Sequence, residues 1–249
     1  MAVTIKSPRE IELMREAGRI LAKTHEELAK NLRPGMSTWD IDHMGEEIIR
    51  SYGCIPSFKN YNGYPASICV SVNDEVVHGI PHKEHFLDEG DIVSLDAGVI
   101  YKGYHSDAAR TYGIGEIDDD AKKLIEVTRQ SFFEGIKFAK AGNHLNDISS
   151  AIQAYAESFG YGVVRDLVGH GIGTHLHEEP EVPNFAQKRK GILLQPGMTL
   201  AIEPMITEGS YEVVWLDDDW TVMTEDGGWA AHYENTILIT EGEPEILSL

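Results

Sequence analysis

Several common signatures are missing from this sequence of 249 residues. It has only two cysteines, Cys54 and Cys69, and they form no CxxC pair, so we expect no disulfide framework. No apolar run is long enough to cross a membrane. The opening segment MAVTIKSPRE lacks the apolar stretch and the cleavage site of a signal peptide. We therefore expect a reduced protein located in the cytoplasm.

Positive charge is also scarce. There are 21 Lys and Arg residues against 41 Asp and Glu residues, which gives a formal net charge of −20. Such a surface repels phosphate groups, which argues against direct recognition of nucleic acids and against binding to anionic membranes. We interpret the one basic cluster, QKRKG at residues 187–191, as a solvated loop.

The motifs of several catalytic classes are absent as well. The chain contains no GxSxG elbow, no HExxH helix, no GxxxxGK[ST] phosphate loop and no EF-hand series. The segment GHGIG is too short and wrongly spaced for a dinucleotide-binding fingerprint. These chemistries therefore fit the sequence poorly.

The elements that are present begin with helices. Ser7-Pro8-Arg9-Glu10 is a capping box with proline at the first helical position, and apolar residues follow at helical spacing. A second helix is predicted from Thr38, closed by Gly53, and a β-rich region follows at about residues 67–112. Two more helices are predicted at about residues 118–141 and 146–159, with strands from there to the end.

This order of elements repeats along the chain. A shift of 107 residues superimposes helix ends and a strand carboxylate: Gly35 on Gly142, Asp40 on Asp147, Gly53 on Gly160, Gly90 on Gly197 and Asp96 on Glu203. We interpret the chain as a single α+β catalytic domain of two pseudo-symmetric halves, about residues 1–115 and 116–249. The helices should pack on a shared antiparallel sheet, with carboxylates meeting at the middle.

Two of these carboxylates interrupt the apolar stretch DIVSLDAGVIYKGYHSDAART at residues 91–111. If this stretch is a hairpin centred on Tyr101 and Lys102, Asp96 and Asp107 lie directly opposite each other, with Cβ atoms about 4.5–5.5 Å apart. Two half-buried carboxylates at that distance require a proton or a cation between them. The alternative is an exposed pair on a solvated face, but the apolar neighbours favour burial.

The second half supplies further groups of the same kind. Glu203 in MTLAIEPM and Glu234 in WAAHYENTILIT are carboxylates within apolar strands, and His170 lies in the glycine-rich segment VGHGIGTHLHEEP. The combined set is rich in oxygen and has one imidazole, which suits two divalent ions such as Mn, Fe, Co or Zn rather than a structural zinc. Two such ions would lie roughly 3.5–4 Å apart and could hold a hydroxide between them.

The segments SVNDEVVHGIP, SLDAGVIYKGYHSDAART, VGHGIGTHLHEEP, LAIEPM and HYENTILIT, in this order, closely resemble the type I methionine aminopeptidases. The resemblance covers nearly the whole chain and implies the pita-bread fold. It implies that Asp96 chelates one metal ion, that His170 and Glu203 hold the other, and that Asp107 and Glu234 bridge both. Glu203 would also be the base and proton shuttle. His78 and His177 would contact the substrate and stabilise the tetrahedral intermediate.

The resemblance also implies a pocket for the methionine side chain, formed by Phe58, Tyr61, Tyr64, Cys69, Leu176 and Trp220. The chain departs from the family pattern at Asn235, where histidine is usual, and at His232, where glutamine is common. We expect these changes to affect the surroundings of the bridging glutamate, and thus metal preference. We assign no ligand role to His105 or His175, and we interpret the remaining histidines, at 25, 43, 82, 85 and 144, as surface or helix residues.

The implied activity is removal of the initiator methionine from nascent polypeptides whose second residue is small, with two divalent ions per chain as cofactors. Nascent N-termini would be its partners and the protein would be a monomer, while the physiological metal and any contact with the ribosome stay open. One alternative is a proline-directed peptidase of the same fold, although those enzymes usually carry an extra N-terminal domain. Another is a catalytically inactive member of the fold that serves as a binding module.

Overall fold

The computed structural model describes residues 2–249. Its α-helices are α1 (Pro8–Asn31), α2 (Thr38–Ser51), α3 (Asp119–Ile136) and α4 (Leu145–Ser158). Its strands are β1 (Ile55–Pro56), β2 (Ile68–Val72), β3 (Glu75–Val77), β4 (Ile92–Tyr101), β5 (Tyr104–Gly113), β6 (Gly162–Val163), β7 (Gly169–Gly171), β8 (Glu178–Val182), β9 (Thr199–Ile202), β10 (Met205–Thr207), β11 (Val213–Trp215), β12 (Val222–Thr224), β13 (Ala230–His232), β14 (Asn235–Leu238) and β15 (Glu245–Ile246).

The strands pair antiparallel, but they form four hydrogen-bonded sheets instead of one continuous sheet. In the first, β4 pairs with β1, β2 and β5. The largest sheet is formed by strands of the second half and has the order β15-β14-β9-β7-β8. Two three-stranded sheets, β13-β10-β6 and β11-β12-β3, complete the strand layer. The mixed α+β class is therefore confirmed, with a more divided strand layer than the sequence suggested.

The helices begin where their caps predict. Ser7 and Glu10 form the reciprocal capping box, and Pro8 occupies the first turn of α1. The third helix is shorter than predicted, because its last turn tightens: Phe138 donates its amide to the carbonyl of Gly135 and Ala139 donates to Ile136. The prediction that this helix extends to residue 141 is therefore wrong.

The shift of 107 residues has counterparts in the structure. Helix α2 starts at Thr38 and α4 at Leu145. The isolated bridge between Ser37 and Phe86 has its equivalent between His144 and Leu193. The glycine pairs of the shift also share a left-handed backbone, with φ of 82° at Gly35 and 90° at Gly142. Each half buries its own apolar core, and a third cluster that contains Phe58, Tyr64 and Leu176 lies beside the cleft described below.

The hairpin of β4 and β5 has a different register from the one predicted. Lys102 and Gly103 form the two-residue turn, both with positive φ, so Tyr101 pairs with Tyr104. Asp96 is therefore opposite Ala109, and Asp107 is opposite Gly98. The two aspartates are diagonal neighbours on the same face and do not form a directly opposed pair.

Strand β5 joins the two halves. The Thr236 hydroxyl accepts a hydrogen bond from the amide of Asp107 at 2.8 Å and donates one to its carbonyl at 2.9 Å. The Thr111 hydroxyl makes the same pair of bonds with the backbone of His232, at 2.8 and 2.9 Å. These side chains replace a regular ladder, and they bring the carboxylates of the first half beside Glu234.

No helix among residues 2–249 combines the length and apolar character that a bilayer crossing requires. The QKRKG segment is exposed, as predicted for a solvated loop.

Candidate metal centre and substrate cleft

A cleft of about 480 Å³ lies between the two halves. Every site residue predicted from the sequence lines it: Phe58, Tyr61, Tyr64, Cys69, His78, Asp96, Asp107, His170, Leu176, His177, Glu203, Trp220 and Glu234. The five residues predicted as metal ligands and the six predicted for the side-chain pocket thus share one cavity. Their individual roles stay predictions.

The donor atoms converge at the base of the cleft. One atom each from Asp107, His170 and Glu234 lie within 4.8 Å of one another, and all three residues are buried. Glu203 adds a carboxylate oxygen 3.6 Å from Nε2 of His170. Asp96 shares a hydrogen bond with Asp107 on the first-half side. Each half therefore contributes carboxylates to one compact group.

The electrostatics of this group are unfavourable without a cation. Burial raises the pKa of Asp96 to about 7. Burial also raises the pKa values of Asp107, Glu203 and Glu234 well above the usual range, and the neighbouring carboxylates raise them further. Buried carboxylates normally have hydrogen-bond donors, yet Oδ1 of Asp96 and Oε1 of Glu234 have none among the described residues. The donor set and these two unpaired oxygens fit divalent ions that prefer oxygen and imidazole ligands.

His170 is prepared as a ligand by its own backbone. Its Nδ1 lies 2.9 Å from the carbonyl oxygen of Gly171, and because a carbonyl only accepts, Nδ1 carries the proton. The Nε2 lone pair is then directed at the carboxylates. Burial lowers the pKa of His170 to about 3, so the ring stays neutral and able to ligate.

The two other predicted histidines lie at the wall of the same cleft. The His177 ring packs edge-on against His170 with ring centres 4.3 Å apart, and its Nδ1 is 2.8 Å from the Tyr61 hydroxyl. His78 has a φ of 60°, a conformation rare for a residue with a side chain. Burial lowers the pKa of His78 to about 4, and that of His177 also falls below its usual value for the same reason.

The end of the cleft formed by Tyr64, Trp220, Leu176 and Cys69 is apolar, and it adjoins the carboxylates because Cys69 is opposite Asp96 in the β2–β4 pair. Tyr64 and Trp220 pack edge to face with ring centres 5.1 Å apart, and the Tyr64 hydroxyl donates to the carbonyl of Gly79 at 2.8 Å. Leu176 and Cys69 are buried, and burial raises the pKa of the Cys69 thiol, which keeps it neutral. This end suits an uncharged, flexible side chain.

The departures from the family pattern occupy different places. His232 is buried, and its Nε2 lies 3.9 Å from Oε2 of Glu203, so it adjoins the carboxylate group. Neither residue lines the cleft itself. Oδ1 of Asn235 points to other partners, and it accepts hydrogen bonds from Arg110 at 2.6 Å and from Ser248 at 3.1 Å. Of the two, His232 is thus the one placed to affect the site.

Two histidines outside the site are buried for structural reasons. His25 lies in α1, where its Nε2 is 2.8 Å from the carbonyl oxygen of Ala108. Nδ1 of His105 is 3.0 Å from the Ser57 hydroxyl. The cleft is also lined by the apolar residues Val77, Leu167, Val168 and Met205, none of which is predicted as a site residue from the sequence. Ordinary strand and loop composition gives no signal that separates such residues from the core.

A family model described as Metallopeptidase family M24 matches residues 12–241. The chain belongs to metallopeptidase family M24. It is accordingly a hydrolase of a family that uses divalent metal ions. It is 56% identical to the methionine aminopeptidase of Clostridium acetobutylicum over 247 residues, with 99% of each chain covered. It is 53% identical to methionine aminopeptidase 1 of Bacillus subtilis over 246 residues, again with 99% of each covered.

Solved structures of M24 proteins agree. The crystal structure of methionine aminopeptidase from Thermotoga maritima has a TM-score of 0.97 and 48% identity, with 99% of each chain covered. The Xaa-Pro dipeptidase of Bacillus anthracis has a TM-score of 0.80 and 27% identity, but this chain covers only 61% of it. The pita-bread fold is thus confirmed, and the similarity to methionine aminopeptidases extends over both chains at full length.

Proposed function

We propose that this protein is a methionine aminopeptidase that removes the N-terminal methionine from polypeptides whose second residue is small. The observation that carries the proposal is the placement of a neutral apolar pocket directly beside the carboxylate and histidine group in one cleft. A free N-terminus at the carboxylates would put its first side chain in that pocket. The similarity to methionine aminopeptidases along the full chain supports the same activity.

Two divalent ions would be held by Asp96, Asp107, His170, Glu203 and Glu234. Such ions supply Lewis-acid polarisation of the scissile carbonyl and raise the acidity of water. Cobalt, manganese, iron and zinc all match this ligand set. His232 lies beside Glu203 and is the residue we expect to influence the choice among them.

The chain itself would provide the proton transfers and the oxyanion contact. Glu203 lines the cleft beside His170, so its carboxylate could take a proton from the attacking water and return it to the leaving amine. Nδ1 of His177 lies 2.8 Å from the Tyr61 hydroxyl, and with that hydroxyl as the donor the proton of the neutral ring would lie on Nε2. There it can be donated to the oxygen on which charge develops in the transition state. The His78 ring lies 6.4 Å from that of Trp220, and His78 would contact the substrate on this side of the cleft.

Peptide cleavage tests this proposal directly. Metal-loaded protein should cleave Met-Ala-Ser well, Met-Lys-Ser poorly and N-acetylated Met-Ala-Ser not at all, because the blocked amine cannot occupy the carboxylate end. Methionine adds about three heavy atoms of apolar contact over alanine. At roughly 0.8 kcal/mol for each methylene-sized group, Ala-Ala-Ser should be cleaved about one to two orders of magnitude less efficiently.

The same assay separates the alternatives. Efficient cleavage of Ala-Pro peptides with little cleavage of Met-Ala-Ser would replace the proposal with a proline-directed activity. Bound metal with no cleavage of any peptide would favour an inactive binding module. With the proposed activity, the partners are nascent N-termini, and we further propose a monomer located in the cytoplasm whose two halves form a single catalytic domain.

A further inference from the structure

The N-terminal segment at residues 3–6 is joined to the cleft wall by a buried ion pair. Nζ of Lys6 lies 2.6 Å from Oε2 of Glu178, and the two side chains are only 6% and 5% exposed. The Thr4 hydroxyl donates to the same oxygen at 2.7 Å, and Lys6 also donates to Thr4. The backbone of Lys6 is fixed independently, because its amide donates to the carbonyl of Gly197 at 2.8 Å.

Glu178 stands at the end of the β7–β8 loop (residues 172–177), which carries Leu176 and His177 and has no regular secondary structure. Oε1 of Glu178 accepts the amide of His175 at 3.2 Å, so one carboxylate connects Lys6 to the backbone of this loop. The other end of the loop is held where His105 donates its amide to the carbonyl of Gly173 at 2.8 Å.

The packing at Gly173 shows how tightly this connection is built. A Cβ atom there would lie 2.5 Å from Cε and 2.8 Å from Nζ of Lys6, and 2.6 Å from Oε1 of Glu178. Only glycine leaves room for the ammonium and the carboxylate to meet against the loop. The loop, the carboxylate and Lys6 thus form one packed unit next to the His177 ring.

We propose that Lys6 is a positioning residue for catalysis, which acts through Glu178 to hold His177 at its place in the cleft. The inference rests on the proposed function and adds a residue 172 positions away from its partner in the sequence. Tyr61 holds the His177 ring from the cleft side, and Lys6 with Glu178 holds the backbone from behind.

Each charge of this buried ion pair depends on the other. Burial by itself raises the pKa of Glu178, but hydrogen bonds from Lys6, Thr4 and the amide of His175 outweigh it and keep that pKa below its usual value. Removal of Lys6 leaves a buried carboxylate without its cation, and such a group relaxes toward water. Glu178 lines the cleft, so a carboxylate that has lost Lys6 would turn into the cleft and the loop would move with it.

The first test compares Lys6→Met with a matched control on cleavage of Met-Ala-Ser. We expect Lys6→Met to lower kcat about tenfold or more and to change KM less than about threefold, because small displacements of a catalytic group cost rate more than affinity. Metal content should stay at the wild-type level. Lys30→Met, which removes an exposed pair with Glu27 on α1, should stay within about twofold of wild type.

Two further variants distinguish positioning from a general structural role. Lys6→Met combined with Glu178→Gln should recover most of the lost kcat, because no uncompensated charge remains. In a His177→Ala background, Lys6→Met should cost less than about twofold, because its effect passes through the residue already removed. If Lys6→Met does not fold, Thr4→Val keeps the ion pair and should still lower kcat, by about two- to threefold.

The outcomes separate this inference from the function on which it rests. Wild-type protein that fails to cleave Met-Ala-Ser refutes the proposed function. Active wild-type protein with an equally active Lys6→Met variant refutes the positioning role alone. The positioning role is also refuted if Lys6→Met lowers kcat by the same factor in the wild-type protein and in the His177→Ala background.

Discussion

The most informative perturbation of the metal centre is Asp96→Asn, measured in metal-free protein. Asparagine keeps the shape of the side chain and a hydrogen bond to Asp107, but it removes one charge from a group of four carboxylates that are buried or half-buried. We expect this substitution of a predicted metal ligand to stabilise the metal-free fold at neutral pH. A residue present to hold a cation should lower stability when the cation is absent.

The sign and size follow from the pKa of Asp96, which rises from 3.8 to about 7 on folding. An acid with a raised pKa destabilises the fold increasingly as the pH rises from the unfolded to the folded value, and has no effect below the unfolded value. At about 1.36 kcal/mol per pH unit, the cost at pH 7.5 is up to about 4 kcal/mol. For a protein of this size, 4 kcal/mol corresponds to about 8–16 °C in Tm.

Buried histidines act in the opposite direction and must be separated from this effect. Burial lowers the pKa values of His170 and His232 to about 3, so these histidines have no effect on stability above pH 6.5 and destabilise the fold increasingly as the pH falls from 6.5 towards 3. The wild-type protein and the Asp96→Asn variant both contain these histidines. The difference in free energy of unfolding between Asp96→Asn and wild type therefore cancels their contribution at every pH.

The assay is urea unfolding of both chelator-treated proteins at pH 7.5 and pH 4.0, repeated with manganese at pH 7.5. We expect the metal-free variant to be more stable at pH 7.5 and within about 1 kcal/mol of wild type at pH 4.0. Saturating metal at 100 times Kd adds about 2.7 kcal/mol to wild type and less to the variant, so the difference should narrow or reverse. A metal-free variant that is less stable than wild type at pH 7.5 would refute the reasoning.

Three further outcomes are expected. Chelation should abolish cleavage of Met-Ala-Ser, and added Co, Mn or Fe should restore it. The variants Glu203→Ala and Glu234→Ala should stay inactive with metal present. Full activity after exhaustive metal removal would contradict the assignment of these residues as metal ligands. His177→Ala should keep its metal, measured by elemental analysis, while its kcat falls by about 10²–10³-fold. His78→Ala should also keep its metal, with a smaller fall in kcat. Loss of metal in either variant would mean that the histidine is a ligand. Tyr61→Phe should lower kcat by about tenfold with an unchanged KM, since the proton on Nε2 of His177 is no longer fixed, and an unchanged kcat would remove Tyr61 from the mechanism.

The sequence identified the carboxylates because each violates the pattern around it. An aspartate between Leu95 and Ala97 in a buried strand needs a physical reason, and that signal is local. The register of the hairpin could not be predicted from a local signal of this kind. Lys102 and Gly103 both adopt positive φ and move the turn by one residue, and a non-glycine residue gives little notice of this conformation.

Contacts between distant segments are even harder to predict from the sequence. The Thr236 hydroxyl replaces a strand ladder between the halves, and Lys6 meets Glu178 across most of the chain. A threonine in a strand and a lysine before a helix both look ordinary in sequence. What distinguishes them is burial beside a specific partner, which only the fold determines.

The division of the site between the halves has a physical consequence. Asp96 and Asp107 come from the first half, while His170, Glu203 and Glu234 come from the second, so neither half alone holds the complete set of predicted ligands. Mutual repulsion of the buried carboxylates opposes docking, and the hydrogen bonds of Thr236 and Thr111 favour it. A bound cation converts that repulsion into attraction. We therefore expect the affinity of the predicted site for metal to include the free energy with which the two halves pack, because the site lies at their junction.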